Sequence, residues 1–286
     1  DKLVKNKDPF APRVVSDGQT LLLDSKTAGD EPFMLANNLK GVVVIVDRAR
    51  AKASSFATKH FGVDVIILDD GLQYLRLKRK INLVLVDSQA PFGNGYLLPR
   101  GMLREPPANL ARATHVLLTK CQEPNNHHLI SLIRRFNPTA EIIECAHRPR
   151  EARNILTGER LSLEALQGMR AGAISGIAVP ESFESALNNL GVELILTEQY
   201  ADHHRFNRDE IESFVRKCSR KKLDGVFTTE KDAVRFPRIL DPLVPIFCLR
   251  VEIEILTGHE AWQSLLNLFL NKRHFIAPAV NYGEFE

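Results

Sequence analysis

A chain of 286 residues, 44% hydrophobic and 26% charged, has ordinary globular composition and enough length for one large domain or two ordinary ones, which excludes a disordered segment. Its net charge of +3 lacks the basic excess that announces nucleic-acid binding, so no nucleic-acid partner is expected. Four widely spaced cysteines give neither a C-x-x-C pair nor a zinc-ligand cluster and fit a reduced cytoplasmic compartment, and no apolar run reaches the roughly 18 residues of a membrane span.

In chain order, DKLVKNKDPFAP lacks the apolar centre of a signal peptide, so any membrane contact is expected to be peripheral. Gly29-Asp30-Glu31-Pro32 then opens the helical stretch PFMLANNL, where acids either cap the helix and favour its dipole or supply metal and base chemistry. VVVIV (42–46) reads as a strand and Arg48–His60 as a helix. VDVIILDD (63–70) reads as a strand ending in Asp69-Asp70-Gly71. That is the place of a Walker B acid holding Mg²⁺ beside nucleotide phosphates, and equally of a turn or cap. The basic run RLKRK (76–80) and the later RKCSRKK (216–222) are either solvated faces or contacts for an anionic ligand.

After the strand INLVLVD (81–87), the segment from Ser88 to Ala113 shows no periodicity and is rich in Gly and Pro. A loop of that length inside a compact domain is usually functional. Its Gly93-Asn94-Gly95 allows close backbone approach, and Arg100 and Arg104, beside Glu105, suit a phosphate clamp or a solvated loop. THVLLTK (114–120), a helix over Asn126–Phe136 and AEIIECA (140–146) follow, and then the polar stretch 147–170, where a domain change is placed.

Beyond it come AGAISGIA (171–178), a helix over Glu181–Leu190 with Pro180 at its start, VELILTEQY (192–200), and a helix over Arg208–Lys221 capped by Asn207. The chain closes with DGVFTTEK (224–231), VPIFCLRVEIEI (244–255) and a helix over His259–Leu270. Between strand and helix, Tyr200-Ala201-Asp202-His203-His204-Arg205-Phe206 sets histidines beside an acid, the usual means of holding one imidazole tautomer, or else forms a surface pair. Thr228-Thr229-Glu230-Lys231-Asp232 at the next junction is explained by capping or by function. Wholly apolar runs alternating with helices predict an α/β protein with a mostly parallel sheet covered on both faces.

Taken together and in order, AGDEPFMLA, VIILDDGLQYLRL, FGNGYLLPRGMLREP, GIAVPESFESAL, YADHHRF and TTEKDAVRF closely resemble the tetraacyldisaccharide 4'-kinase family, the lipid A 4'-kinases of Gram-negative bacteria, from about Val14 to Leu270. The resemblance implies a P-loop-NTPase-like core over 1–147 and a smaller C-terminal α/β domain over 148–286. It implies transfer of the γ-phosphoryl of ATP, with Mg²⁺, to the 4'-hydroxyl of a lipid A disaccharide 1-phosphate. The reaction would take place at the cytoplasmic face of the inner membrane, through peripheral contact. By the same resemblance Asp30 is the catalytic base, acting with His203 or His204. Asp69 and Asp70 stand on the metal side, Glu31 and Gln73 near the nucleotide, and Asn94, Arg100, Arg104 and Glu105 near the sugar and its phosphate.

Two features depart from the family pattern. Tyr74 stands where D-D-G-x-Q-H has His, and no G-x-x-x-x-G-K-[ST] phosphate cradle is present, as though it preceded residue 1. The corresponding expectation is that these residues alone bind ATP poorly and turn over little. The alternatives are a truncated, non-catalytic remnant that binds a glycolipid or protein partner, and a nucleotide-independent metal hydrolase built on the two acid pairs and the histidines.

Overall fold

The computed structural model describes residues 11–237, 239 and 241–270. The segment DKLVKNKDPF (1–10), which the sequence reading sets just after a phosphate loop, lies outside the described residues. The described chain resolves into two compact units, each drawn from two segments: residues up to Ile66 with Arg148–Glu252, and Ile67–His147 with the residues from Ile253 on. The chain thus changes unit at 147–148, and also at 66–67 and 252–253.

The elements run in chain order from β1 (Arg13–Asp17), α1 (Ser25–Ala28), α2 (Asp30–Asn38), β2 (Val43–Val46) and α3 (Arg50–Phe61) to β3 (Leu83–Asp87), β4 (His115–Thr119), α4 (His127–Phe136) and β5 (Glu141–Asn154). There follow β6 (Arg160–Leu161), β7 (Arg170–Ser175), α5 (Pro180–Asn189), β8 (Glu193–Gln199), α6 (Arg208–Arg220), β9 (Gly225–Thr229), α7 (Glu230–Ala233), β10 (Ile246–Thr257) and α8 (His259–Leu270).

In the first unit, β7, β8, β9 and the start of β10 form a parallel sheet, β8 pairing with β7, β7 with β9 and β9 with β10. The wholly apolar strands have the reason expected of them, because both faces are covered. Along β7, Ala171 and Ala173 pack with Phe183 and Leu187 of α5, while Ile174 packs with Ile211, Phe214 and Cys218 of α6. β9 divides the same way, Phe227 toward the α5 side and Val226 toward the α6 side. The N-terminal part of this unit pairs β1 with β2 in antiparallel fashion and clusters buried Val15 with Ala28 of α1 and Ala36 of α2.

In the second unit, β3, β4 and the first half of β5 are parallel. Val116 and Leu118 of β4 pack with Leu129 and Ile133 of α4, whereas Leu117 packs with Ile143, Ala261 and Trp262, so β4 is again covered on both faces. The fold is the expected α/β class.

One expected strand is absent. VDVIILDD (63–70) forms no strand, and Asp69-Asp70 lie in a turn. An apolar run becomes a strand when a neighbour completes its ladder and side chains cover it. No described strand pairs with this run, and Ile67 is 86% exposed.

Candidate functional site

Ligands of parallel sheets collect beyond the carboxyl ends of the strands. In the first unit, three such ends deliver chemistry: Gly176 after β7, residues 200–206 after β8, and Thr229 at the end of β9. Thr229 caps α7 by accepting from Asp232 N at 3.0 Å, which fixes Asp232 inward. Asp232 is fully buried and accepts from Thr229 Oγ1 (2.7 Å), Gly176 N (3.1 Å) and Arg235 Nη1 (3.1 Å).

Arg235, whose side chain is itself fully buried, is the hub. Beyond Asp232 it donates to Gly176 O (3.0 Å) through Nη1 and to Asp30 Oδ2 (2.8 Å) through Nε, and its Nη2 lies 3.1 Å from His203 Nδ1. A guanidinium has donors and no acceptor, so His203 Nδ1 accepts and the ring proton sits on Nε2. That Nε2 is 3.7 Å from Asp202 Oδ2, and Nδ1 is 3.9 Å from Asp30 Oδ2. His203 also holds a left-handed backbone at φ 62, an uncommon state for a side chain this large, and its ring is 58% exposed.

Asp30 opens α2. Its side chain is 11% exposed and its second oxygen accepts from Arg205 Nη2 at 2.8 Å, which also donates to Ser25 O at 3.1 Å. The carboxylate is therefore fixed by a guanidinium on each oxygen. Next to it, Glu31 pairs with Lys231 at 3.1 Å, and farther along α2 Asn38 donates to Glu230 at 3.0 Å. His204 points elsewhere. It stacks on Tyr200 (4.5 Å between centroids), meets the edge of Phe206 and pairs with Glu210, whose carboxylate also completes the capping box of α6. Burial, with the Glu198 carboxylate beside it, pushes the Tyr200 hydroxyl up to about 12.

In the second unit, Asp70 adopts φ 50 in its turn and carries Arg104 at 3.1 Å. Gln73 donates to Glu105 Oε1 at 2.9 Å, while Asn109 and Arg112 hold Glu105 Oε2. Burial tends to raise the Glu105 carboxyl, but the hydrogen bonds from Arg112, Asn109 and Gln73 outweigh it and hold the group below its ordinary range. Asn94 braces the loop, donating to Arg100 O and accepting from Tyr96 N. Arg100 lies over the Tyr96 ring, 3.7 Å from its centroid, so its charge is presented at the surface on an aromatic platform. Gly101 has no room for a side chain: a Cβ there would overlap Tyr96 O and Asn94 Oδ1.

Mg²⁺ commonly rests on one or two carboxylates plus phosphates and water, so the adjacent Asp69 and Asp70 suit it, and Arg104 already stands as a cation on Asp70. Among the described residues no group of three or more His, Cys, Asp or Glu is placed to hold a metal. Sequence reasoning missed Arg205, Asp232 and Arg235 as a unit. The signal was in TTEKDAVRF, where Asp232 and Arg235 stand three apart and therefore on one side of a helical turn.

The family model described as Tetraacyldisaccharide-1-P 4'-kinase (LpxK) matches residues 5–270. A Tetraacyldisaccharide 4'-kinase of Anaeromyxobacter dehalogenans (strain 2CP-C) is 38% identical over 262 residues, covering 89% of this chain and 68% of that protein. The protein of the same name from Halothermothrix orenii is 34% identical, covering 85% and 68%. The crystal structure of the "apo" form of LpxK from Aquifex aeolicus in complex with ATP aligns with a TM-score of 0.69 at 23% identity, over 93% of this chain and 77% of that one.

Proposed function

The chain belongs to the tetraacyldisaccharide-1-P 4'-kinase family, and on that premise we propose how it works as a kinase: transfer of the γ-phosphoryl of ATP, with Mg²⁺, to the 4'-hydroxyl of a tetraacyldisaccharide 1-phosphate in lipid A biosynthesis. The observation that carries the mechanism is Asp30, a nearly buried carboxylate fixed by a guanidinium on each oxygen with an imidazole beside it. Phosphoryl transfer passes through a loose transition state in which the protein mainly positions groups and balances charge, with one residue taking the proton of the attacking hydroxyl.

Asp30 is that acceptor: each oxygen spends one lone pair on an arginine and keeps another for the hydroxyl proton. His203 is its partner rather than His204, because the His203 ring faces Asp30 while His204 is committed to Tyr200 and Glu210. Arg100 and Arg104 are the cations offered to the sugar phosphate, and Asn94 and Glu105 serve them by bracing the loop and the 104–112 segment. Glu31 and Gln73 are assigned to the nucleotide side. When bound, Mg²⁺ would neutralise charge on the β- and γ-phosphates, and Asp69 and Asp70 are the residues to hold it.

No described helix is long and apolar enough to cross a membrane. In this reading the enzyme meets its lipid substrate at the cytoplasmic face of the inner membrane through peripheral contact. Incubation of the full-length protein with ATP, Mg²⁺ and tetraacyldisaccharide 1-phosphate tests the reading. A product phosphorylated at the 4'-position is expected; hydrolysis of ATP with no phosphorylated lipid would contradict it.

A further inference from the structure

We propose that Arg235 is the positioning residue of this site: it sets Asp30 in place and fixes the tautomer of His203, with buried Asp232 as its own anchor. The inference rests on the reading of Asp30 as base. Arg235 ties together three strand ends and one helix start. Its donors reach Gly176 O after β7, Asp232 below β9, His203 after β8 and Asp30 on α2.

A buried guanidinium is stable in such a place when its donors meet acceptors and a carboxylate balances its charge. Asp232 does this from inside, itself held by Gly176 N and Thr229 Oγ1. The interior pair is therefore complete before Asp30 and His203 are counted, and Nε and Nη2 are left to act outward on the two reactive groups. A planar fork fixes both at once. On Asp30 it leaves the second oxygen to Arg205, and on His203 it forces Nδ1 to accept, placing the proton on Nε2. Lysine in this position would keep a charge beside Asp232 but has no rigid fork to span Asp30 and His203 together.

The test compares Arg235→Lys and the neutral pair Asp232→Asn/Arg235→Gln with the wild-type full-length protein. The double variant removes both interior charges, so it leaves neither stranded. For each, kcat and the KM values for ATP and lipid are measured, and ¹⁵N NMR reports the His203 ring. Arg235→Lys should lower kcat at least tenfold with KM for ATP changed less than about threefold, and the His203 spectrum should lose the pattern of a ring protonated on Nε2 alone. The double variant should lose at least as much kcat.

Wild-type kcat in Arg235→Lys, or an unaltered His203 tautomer in it, would overturn the inference. So would a double variant that recovers wild-type kcat. If either variant unfolds, the tautomer in the other decides, and unfolding of both would assign Arg235 to stability and reject the proposal. Asp30→Ala separates the two readings: normal turnover in that variant would reject Asp30 as base, whereas its loss with intact Arg235→Lys kinetics would reject only the role of Arg235.

Discussion

Glu105 is held by Arg112, Asn109 and Gln73, whose hydrogen bonds outweigh the burial that would raise its carboxyl. The sign of the consequence follows. A group whose folded pKa lies below its ordinary 4.5 stabilises the fold above that value and loses the contribution as pH falls through the folded pKa. Glu105→Gln should therefore lower the urea midpoint near neutral pH. Its difference from wild type should shrink as pH falls below about 4.5, and a difference independent of pH would refute the linkage. At this scale the sequence displays the residue types directly, the acids at 30, 31, 69 and 70 and the paired histidines among them. It did not reveal which histidine faces Asp30, because His203 is claimed by Arg235, far along the chain, while His204 turns to its near neighbours Tyr200 and Glu210. Asn94 and Glu105, expected near the sugar and its phosphate, bond to the Arg100 carbonyl and to Gln73, Asn109 and Arg112 respectively.

Elements were legible where a period or a cap spoke for itself. Asn207 closes a capping box with Glu210 at the start of α6, and Pro180 opens α5. The long Gly/Pro segment between β3 and β4 remains loop and a tight helical turn over Pro107–Arg112. VDVIILDD misled because composition reports what a run prefers and says nothing of whether a strand lies beside it; the ladder partner is a tertiary fact. β7 shows the opposite case, in which packing explains a residue that the strand pattern alone would disfavour. A Cβ on Gly172 would lie 2.6 Å from Cys218 Sγ and 3.0 Å from the Phe214 ring, so glycine is what lets α6 approach the sheet. Gly172→Ala should destabilise the protein by about 1–3 kcal/mol. An unchanged denaturation midpoint would show that α6 moves aside without cost.

For the whole molecule, the ordered motifs carried more than any one of them. The family they suggested is the family the chain belongs to, across residues 5–270. The matched relatives are themselves named as kinases, which does not favour a non-catalytic remnant, and the chain spans about 68% of their length. β5 and β10 each include residues of both compact units, a feature of contact that composition does not display. The central claim, that Asp30 takes the proton from the attacking hydroxyl, is tested most directly by single-turnover phosphoryl transfer in the full-length Asp30→Ala protein, with ATP affinity measured alongside. The account predicts a rate lower by about 10²- to 10⁴-fold with ATP affinity within about threefold of wild type. A variant that transfers the γ-phosphoryl to the 4'-hydroxyl at the wild-type rate would contradict it.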